Sequence, residues 1–242
     1  MAHTVKANRL TPAQLDELRQ FSTCVTASAI EKFAVRLCNA GFADSRIRCQ
    51  FPDLPPVLGY AATARIRSED PPMGGEGYFY YDRPEWWKYI LTIPSPRVVV
   101  IEDIDEHPGL GAFVGAVHAH ILAALGCIAT VTNGAVRDIP DIRPTGFQLF
   151  ASNVAVSHAY AHLFDFGSKV RVGGLDIAPG DLVHGDLHGV QTIPLEVAAK
   201  VPAAAREILE RRKRLIDLCR SGSFSLEKLQ QLLKQEEKES SI

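Results

Sequence analysis

Residues 97–138 read RVVVIEDIDEHPGLGAFVGAVHAHILAALGCIATVTNGAVRD. The run Arg97–Glu102 is apolar without alternation, the pattern of a strand buried on both faces. The segment 103–111 is acidic and carries glycines, so it reads as a loop. Phe113 to Leu125 is predicted as a helix closed by Gly126. Ile128 to Val131 follows as a second strand, leading into Asn133-Gly134-Ala135-Val136-Arg137-Asp138. Strand, helix and strand in this order set an α/β class.

Upstream, Thr11-Pro12 is a helix start, with a cap oxygen followed by proline in the first turn. A second helix is predicted from Ser28 to Ala40, stopped by Gly41. Tyr60 to Ile66 reads as a strand and Pro71 to Gly77 as a loop. The aromatic cluster Tyr78, Phe79, Tyr80, Tyr81, Trp86, Trp87 and Tyr89 follows, with Asp82 and Pro84 placed to start a helix carrying the tryptophans. Burial in the core is the favoured role for such residues over a lid. Downstream, Phe147 to Phe150 reads as a strand and residues 169–193 as β-structure with turns at Gly173-Gly174 and Pro179-Gly180-Asp181. The chain closes with amphipathic helices over Leu195–Arg220 and from Leu226 onward. The reading is one domain over 1–242, with 223–242 a helical extension ending in a polar, frayed QEEKESSI.

The chain has 242 residues, 46% hydrophobic and 22% charged, which excludes wholesale disorder. Its net charge of −2 makes it a poor nucleic-acid binder. No apolar run approaches a membrane span, and the amino terminus lacks a secretory apolar core. The cysteines 24, 38, 49, 127 and 219 are odd in number and contain no CxxC pair. That usage points to a reducing, cytoplasmic setting.

Several constellations carry possible chemistry. Gly109, Gly111 and Gly115 form GxGxxxG rather than a dinucleotide fingerprint, and Asn133 stands near where a ribose-binding acid belongs. What remains is a glycine at a helix start, whose free amides make a small anion site suited to a carboxylate or phosphate. An ordinary tight turn is equally compatible with that segment. Arg137 suits a carboxylate or enolate oxygen, and Asp138 is a hard oxygen ligand for Mg²⁺ or Mn²⁺. As a bare dipeptide they equally describe a surface ion pair. Glu102, Asp103, Asp105 and Glu106 read as solvated loop before metal ligands. The pairs His184/His188, His158/His162 and His118/His120 lack a third ligand and read as structural. Arg206, Arg211, Arg212, Lys213, Arg214 and Arg220 alternate with acids, as on a salt-bridged helix face.

Three pieces together resemble one family. The first is Gly115, then Arg137-Asp138, with Gly126 and Gly134 between. The second is Ile177-Ala178-Pro179-Gly180-Asp181-Leu182-Val183, continuing through Asp186 and Gly189-Val190 to Pro194. The third is the closing helix ending at Arg220-Ser221-Gly222. This is similar to the RraA-like family, which includes 4-hydroxy-4-methyl-2-oxoglutarate aldolases and oxaloacetate decarboxylases. The resemblance implies an αββα sandwich of the swivelling-domain type, with N- and C-terminal helices, assembled as a homotrimer or hexamer. It implies an active site at a subunit boundary, where Asp138 binds the divalent metal and Arg137 holds a pyruvate-like group. The amides after Gly115, at Ala116, Val117 and His118, would cradle the substrate carboxylate.

The implied reaction cleaves a carbon–carbon bond of a small 2-oxo acid through a pyruvate enolate. The sequence also departs from the family. Ala116 stands where catalytic members carry an acid, Asn133 replaces a second, and Arg212 falls where a terminal-helix glutamate is expected, with Glu207 and Glu210 close by. The alternative reading is therefore a non-catalytic binding protein on the same scaffold, like the family's inhibitors of ribonuclease E.

Overall fold

The computed structural model describes residues 9–72 and 83–240. Helix α1 (Pro12–Leu18) starts as expected: Thr11 accepts from the Gln14 amide, and the Gln14 side chain returns the bond to the Thr11 amide. Helix α2 does not run from Ser28 to Ala40. It spans Thr23–Glu31, capped by Ser22, and the chain turns irregularly before Gly41. The Ser22 cap and the hydrogen bonds from Thr23 to the distant Asp186 together fix its start, and its buried face, Val25, Ala29 and Ile30, is complete by the last turn.

The strands are β1 (Arg48–Cys49), β2 (Val57–Arg67), β3 (Arg97–Asp103), β4 (Ala112–Val114), β5 (Cys127–Val136), β6 (Gln148–Val154), β7 (His162–Phe166), β8 (Val170–Val172), β9 (Leu175–Ile177), β10 (Leu182–Asp186) and β11 (Gly189–Ile193). Among the described residues they form a 9-stranded mixed sheet, with the path β1-β6-β5-β3-β2-β10-β11 and β4 and β7 attached to β5 and β2, and a separate β8–β9 hairpin. β2, β3, β5 and β6 pair in parallel. Helix α3 (Pro84–Thr92) precedes β3, α4 (Ala116–Ala124) joins β4 to β5, and α5 (Ile139–Ile142) follows β5. The end is helical: α6 (Leu195–Ala198), α7 (Val201–Arg220) and α8 (Leu226–Ser240).

The mixed α/β class is thus as expected, and the buried strands explain it. In β3, Val99 and Ile101 enter one core and Val98 and Val100 the other, so neither face meets water. The first core gathers residues of α1 through α7. The second is closed by Val170, Val172, Leu175 and Ile177 of the β8–β9 hairpin. Trp86 of α3 is fully buried and stacks on Tyr89, which supports the core role read for the aromatics. Tyr78, Phe79, Tyr80 and Tyr81, with most of the 71–77 loop and Asp82, lie outside the described residues.

Two boundaries differ from the sequence reading in ways that build the site. Phe113 and Val114 are not helical; they belong to β4, which pairs with the end of β5. The helix begins only after Gly115. The second strand does not end at Val131, because β5 runs on through Asn133-Gly134 to Val136. The ladder to β6 shifts register between Thr132 and Ala135, a bulge that turns the strand's end. A Cβ at Gly134 would stand 3.2 Å from Asp103 and Thr132, a tight fit that these side chains would have to yield to.

Candidate functional site

The parallel strands all end on one side of the sheet, the usual place for a ligand crevice in α/β folds. There the bulged β5 delivers Arg137 and Asp138 against the amino end of α4. The Arg137 amide donates to the Val114 carbonyl at 3.0 Å, tying β5 to β4. Asp138 then adopts φ 58°, ψ 36°, a left-handed conformation that Asp tolerates better than most residues. This swings its carboxylate back onto the helix. The Ala116 amide donates to Asp138 Oδ2 at 3.0 Å, and Arg137 Nε lies 3.4 Å from the same oxygen. Gly115 permits the approach: a Cβ there would stand 2.6 Å from Asp138 Oδ2.

The structure thus brings together Gly115, Ala116, Arg137 and Asp138. It also partly fills the anion site with the chain's own carboxylate. Val117 follows Ala116 in the first turn of this nine-residue helix, where backbone amides precede the intrahelical ladder. Arg137 and Asp138 are each about one-third exposed, so their mutual attraction is screened and contributes little to stability.

The His118 side chain does not enter this crevice. It is buried edge-on between Phe113 and Trp87, with Nδ1 3.2 Å from the Phe113 carbonyl. Burial pushes its pKa down to about 4. Asn133 serves neither a ribose nor a metal. Its Oδ1 accepts from the Asp103 amide at 2.8 Å and its Nδ2 donates to the Asp103 carbonyl at 2.9 Å, a pairing that no carboxylate could complete. Asp103 accepts from the Gly109 amide within the loop, and Asp105 from that of Glu69, tying the loop to the chain that follows β2. Gly109 and Gly111 lie before β4, away from any helix start, which removes the dinucleotide pattern.

The histidine pairs separate as well. His184 is buried on β10, whereas His188 lies in the turn beyond Asp186, so the two do not share a strand. On α7, Glu207 pairs with Lys32, Arg206 with Glu17, and Arg212 reaches Ser28 at 3.3 Å. Arg206 is thus paired with an acid of α1, whereas the Glu207 carboxylate is taken by Lys32 and Arg212 meets a neutral hydroxyl. No helix among the described residues is long and apolar enough to cross a membrane.

Residues 26–191 match the model of the family described as RraA-like, Aldolase/RraA. The chain belongs to the RraA-like family. This family includes aldolase and decarboxylase enzymes and also non-catalytic inhibitors of ribonuclease E, and its members are typically oligomeric. Among curated relatives, Protein DlpA of Legionella pneumophila is 27% identical over 138 residues, which is 56% of this chain and 22% of DlpA. An uncharacterized protein of Methanocaldococcus jannaschii is 26% identical over 162 residues, 66% of this chain and 71% of that protein. An uncharacterized protein from Pseudomonas syringae shares the fold with a TM-score of 0.71 and 24% identity, covering 92% of this chain and 94% of its own. Streptomyces coelicolor RraAS2, described as an unusual member of the RNase ES inhibitor RraA protein family, aligns with a TM-score of 0.65 and 18% identity, covering 86% and 98%.

The donor set at the RraA-like crevice bears on the expected metal. Asp138 Oδ2 is engaged by two N–H groups, and its partner Oδ1 takes neither bond. No group of three or more His, Cys, Asp or Glu suited to a metal ion occurs among the described residues. One carboxylate oxygen fits Mg²⁺ or Mn²⁺ only as a largely hydrated ion that takes further oxygens from substrate. It does not fit a tight, closed metal site.

Proposed function

We propose that this RraA-like chain is a divalent-metal-dependent lyase acting on a small 2-oxo acid. The observation that carries the reading is the left-handed turn at Asp138, which sets a carboxylate, a guanidinium and an open helix start in one crevice. Such a conformation at a non-glycine residue is a recurrent mark of working sites.

In this reading the start of α4 at Val117 receives the substrate carboxylate, aided by the helix dipole. Arg137 donates to the 2-keto oxygen and strengthens its hold as that oxygen gains negative charge, so it favours the transition state over the ground state. Asp138 would hold a hydrated Mg²⁺ or Mn²⁺ through Oδ1. The ion, when bound, supplies Lewis-acid polarisation of the keto group. Ala116 offers no base for a C4 hydroxyl. Oxaloacetate, which loses CO₂ without such a base, is therefore the first substrate to test.

The test is pyruvate release from oxaloacetate, with and without Mn²⁺ or Mg²⁺, beside Asp138→Ala and a blank of metal alone. Metal-dependent turnover that falls about a hundredfold or more in the variant supports the reading. Wild type no faster than the blank overturns this activity. The absence of carboxylates at Ala116 and Asn133 favours the second reading, a binding protein on the same scaffold; it gains if Mn²⁺ also fails to bind.

A further inference from the structure

Helix α4 begins without a side-chain cap. Its cap residue is Gly115, which has no side chain to bond the first-turn amides. One of those amides, at Ala116, is taken by the Asp138 carboxylate from beyond the end of β5. Glycine loses more freedom on folding than any other residue, so the turn from β4 into α4 is costly to hold.

His118 restrains that turn. It is the third residue of α4, the position from which a side chain reaches back across a helix start, as a glutamate does in a capping box. Its Nδ1 lies 3.2 Å from the carbonyl of Phe113, two residues before Gly115. A carbonyl only accepts, so Nδ1 is the donor, and with burial holding the ring neutral it carries the single ring proton. The ring is fixed edge-on from two sides, with centroids 4.9 Å from Phe113 and 5.5 Å from Trp87 of α3. The next carbonyl, of Val114, accepts from the Arg137 amide at 3.0 Å. Successive carbonyls of β4 are thus held by His118 and by Arg137, and the Gly115 turn follows directly. Packing alone calls for an apolar side chain at 118. It does not explain an imidazole, whose desolvation is costly.

We propose that His118 is a positioning residue of the crevice, whose imidazole clasps the turn after β4 so that the Ala116 amide meets the Asp138 carboxylate and Arg137 is held beside it. The effect on turnover rests on the lyase reading above. The side chain acts through the backbone that it holds and not on the substrate.

Two variants separate the hydrogen bond from the packing. His118→Phe keeps an aromatic ring between Phe113 and Trp87 and removes the donor. His118→Asn keeps a donor near the Nδ1 position and removes the ring. Thermal melting should rank the phenylalanine variant above the asparagine variant. Oxaloacetate turnover with Mn²⁺ should rank them the other way. We expect kcat to fall about tenfold in His118→Phe, with KM little changed, and to stay within about threefold of wild type in His118→Asn. Amide hydrogen exchange at Ala116, read by nuclear magnetic resonance, should speed up about tenfold in His118→Phe. That readout needs no substrate, so it decides the clasp even where wild type proves inactive and the lyase reading falls. Wild-type exchange at Ala116 in His118→Phe would overturn the proposal. So would exchange and turnover that simply follow melting temperature in the two variants.

Discussion

Asp138 and Gly115 work as a pair. The left-handed turn at Asp138 brings its carboxylate to the first amide of α4, and only a residue without a Cβ leaves room for it. Gly115→Ala is expected to push the carboxylate off the helix. It should cost about 1–3 kcal/mol in urea unfolding, from overpacking, and weaken Mn²⁺ binding by the folded variant. An unchanged stability and Mn²⁺ titration would show that the approach is dispensable.

Titration gives a second expectation at this scale. Burial holds His118 and His184 neutral, each pushed down from 6.5 to about 4. The unfolded chain then binds protons more tightly than the folded one. The stability from these groups is whole above 6.5 and is lost as pH falls toward about 4. Asp103 acts with the opposite sign. Burial, countered in part by the Gly109 and Asp105 amides, raises it from 3.8 to about 6, so its contribution is present at low pH and lost as pH rises through that value. His118→Phe should shrink the fall in urea midpoint between neutral and acid pH, and Asp103→Asn should enlarge it.

At the scale of elements, local signals and tertiary partners contribute unequally. The Thr11 cap and the apolar run of β3 were legible because each is written in adjacent residues. Helix α2 was misplaced because its start depends on residues far away in sequence. Thr23 is fixed by Asp186, and the cap residue Ser22 is one of many serines. Thr23→Val should leave the Asp186 carboxylate short of a hydroxyl donor and destabilise the fold by about 1–3 kcal/mol, read by urea unfolding. Phe113 and Val114 continue the apolar pattern of α4, so the sequence pattern extends the helix over the residues of β4. Pairing with β5 overrides that pattern, and Gly115 then separates the two elements. The Asn133-Gly134 bulge shows the same effect, since a dipeptide that favours turns is held within a strand by Asp103, Thr132 and Ser152.

At the scale of the whole molecule, apolar side chains ring the crevice in the open. Val117 is 64% exposed, Val154 59% and Val156 99%. Val154 pairs with Val136, next to Arg137, and Val117 lies in the first turn of α4, so these two flank Arg137 and Asp138; Val156 follows two residues beyond β6. Exposed apolar surface of this kind commonly marks an interface. The homotrimer or hexamer implied by the family resemblance would cover it. Sedimentation should report a multiple of the chain mass, and Val156→Asp should shift the population toward single chains. If the crevice is completed by a second subunit, metal-dependent turnover should fall in parallel.

The sequence by itself determined the α/β class, the stop of α4 at Gly126 and the Arg137-Asp138 dipeptide. Each rests on local pattern, namely apolar runs, a glycine and adjacent charges. The tertiary structure alone decided where those groups point. It turned Asp138 onto α4, buried the His118 ring in the core, and spent Asn133 and the loop acids on holding β3 and its loop. The physical reason is that side-chain direction depends on backbone conformation and strand register, and both are fixed by contacts between residues distant in the chain.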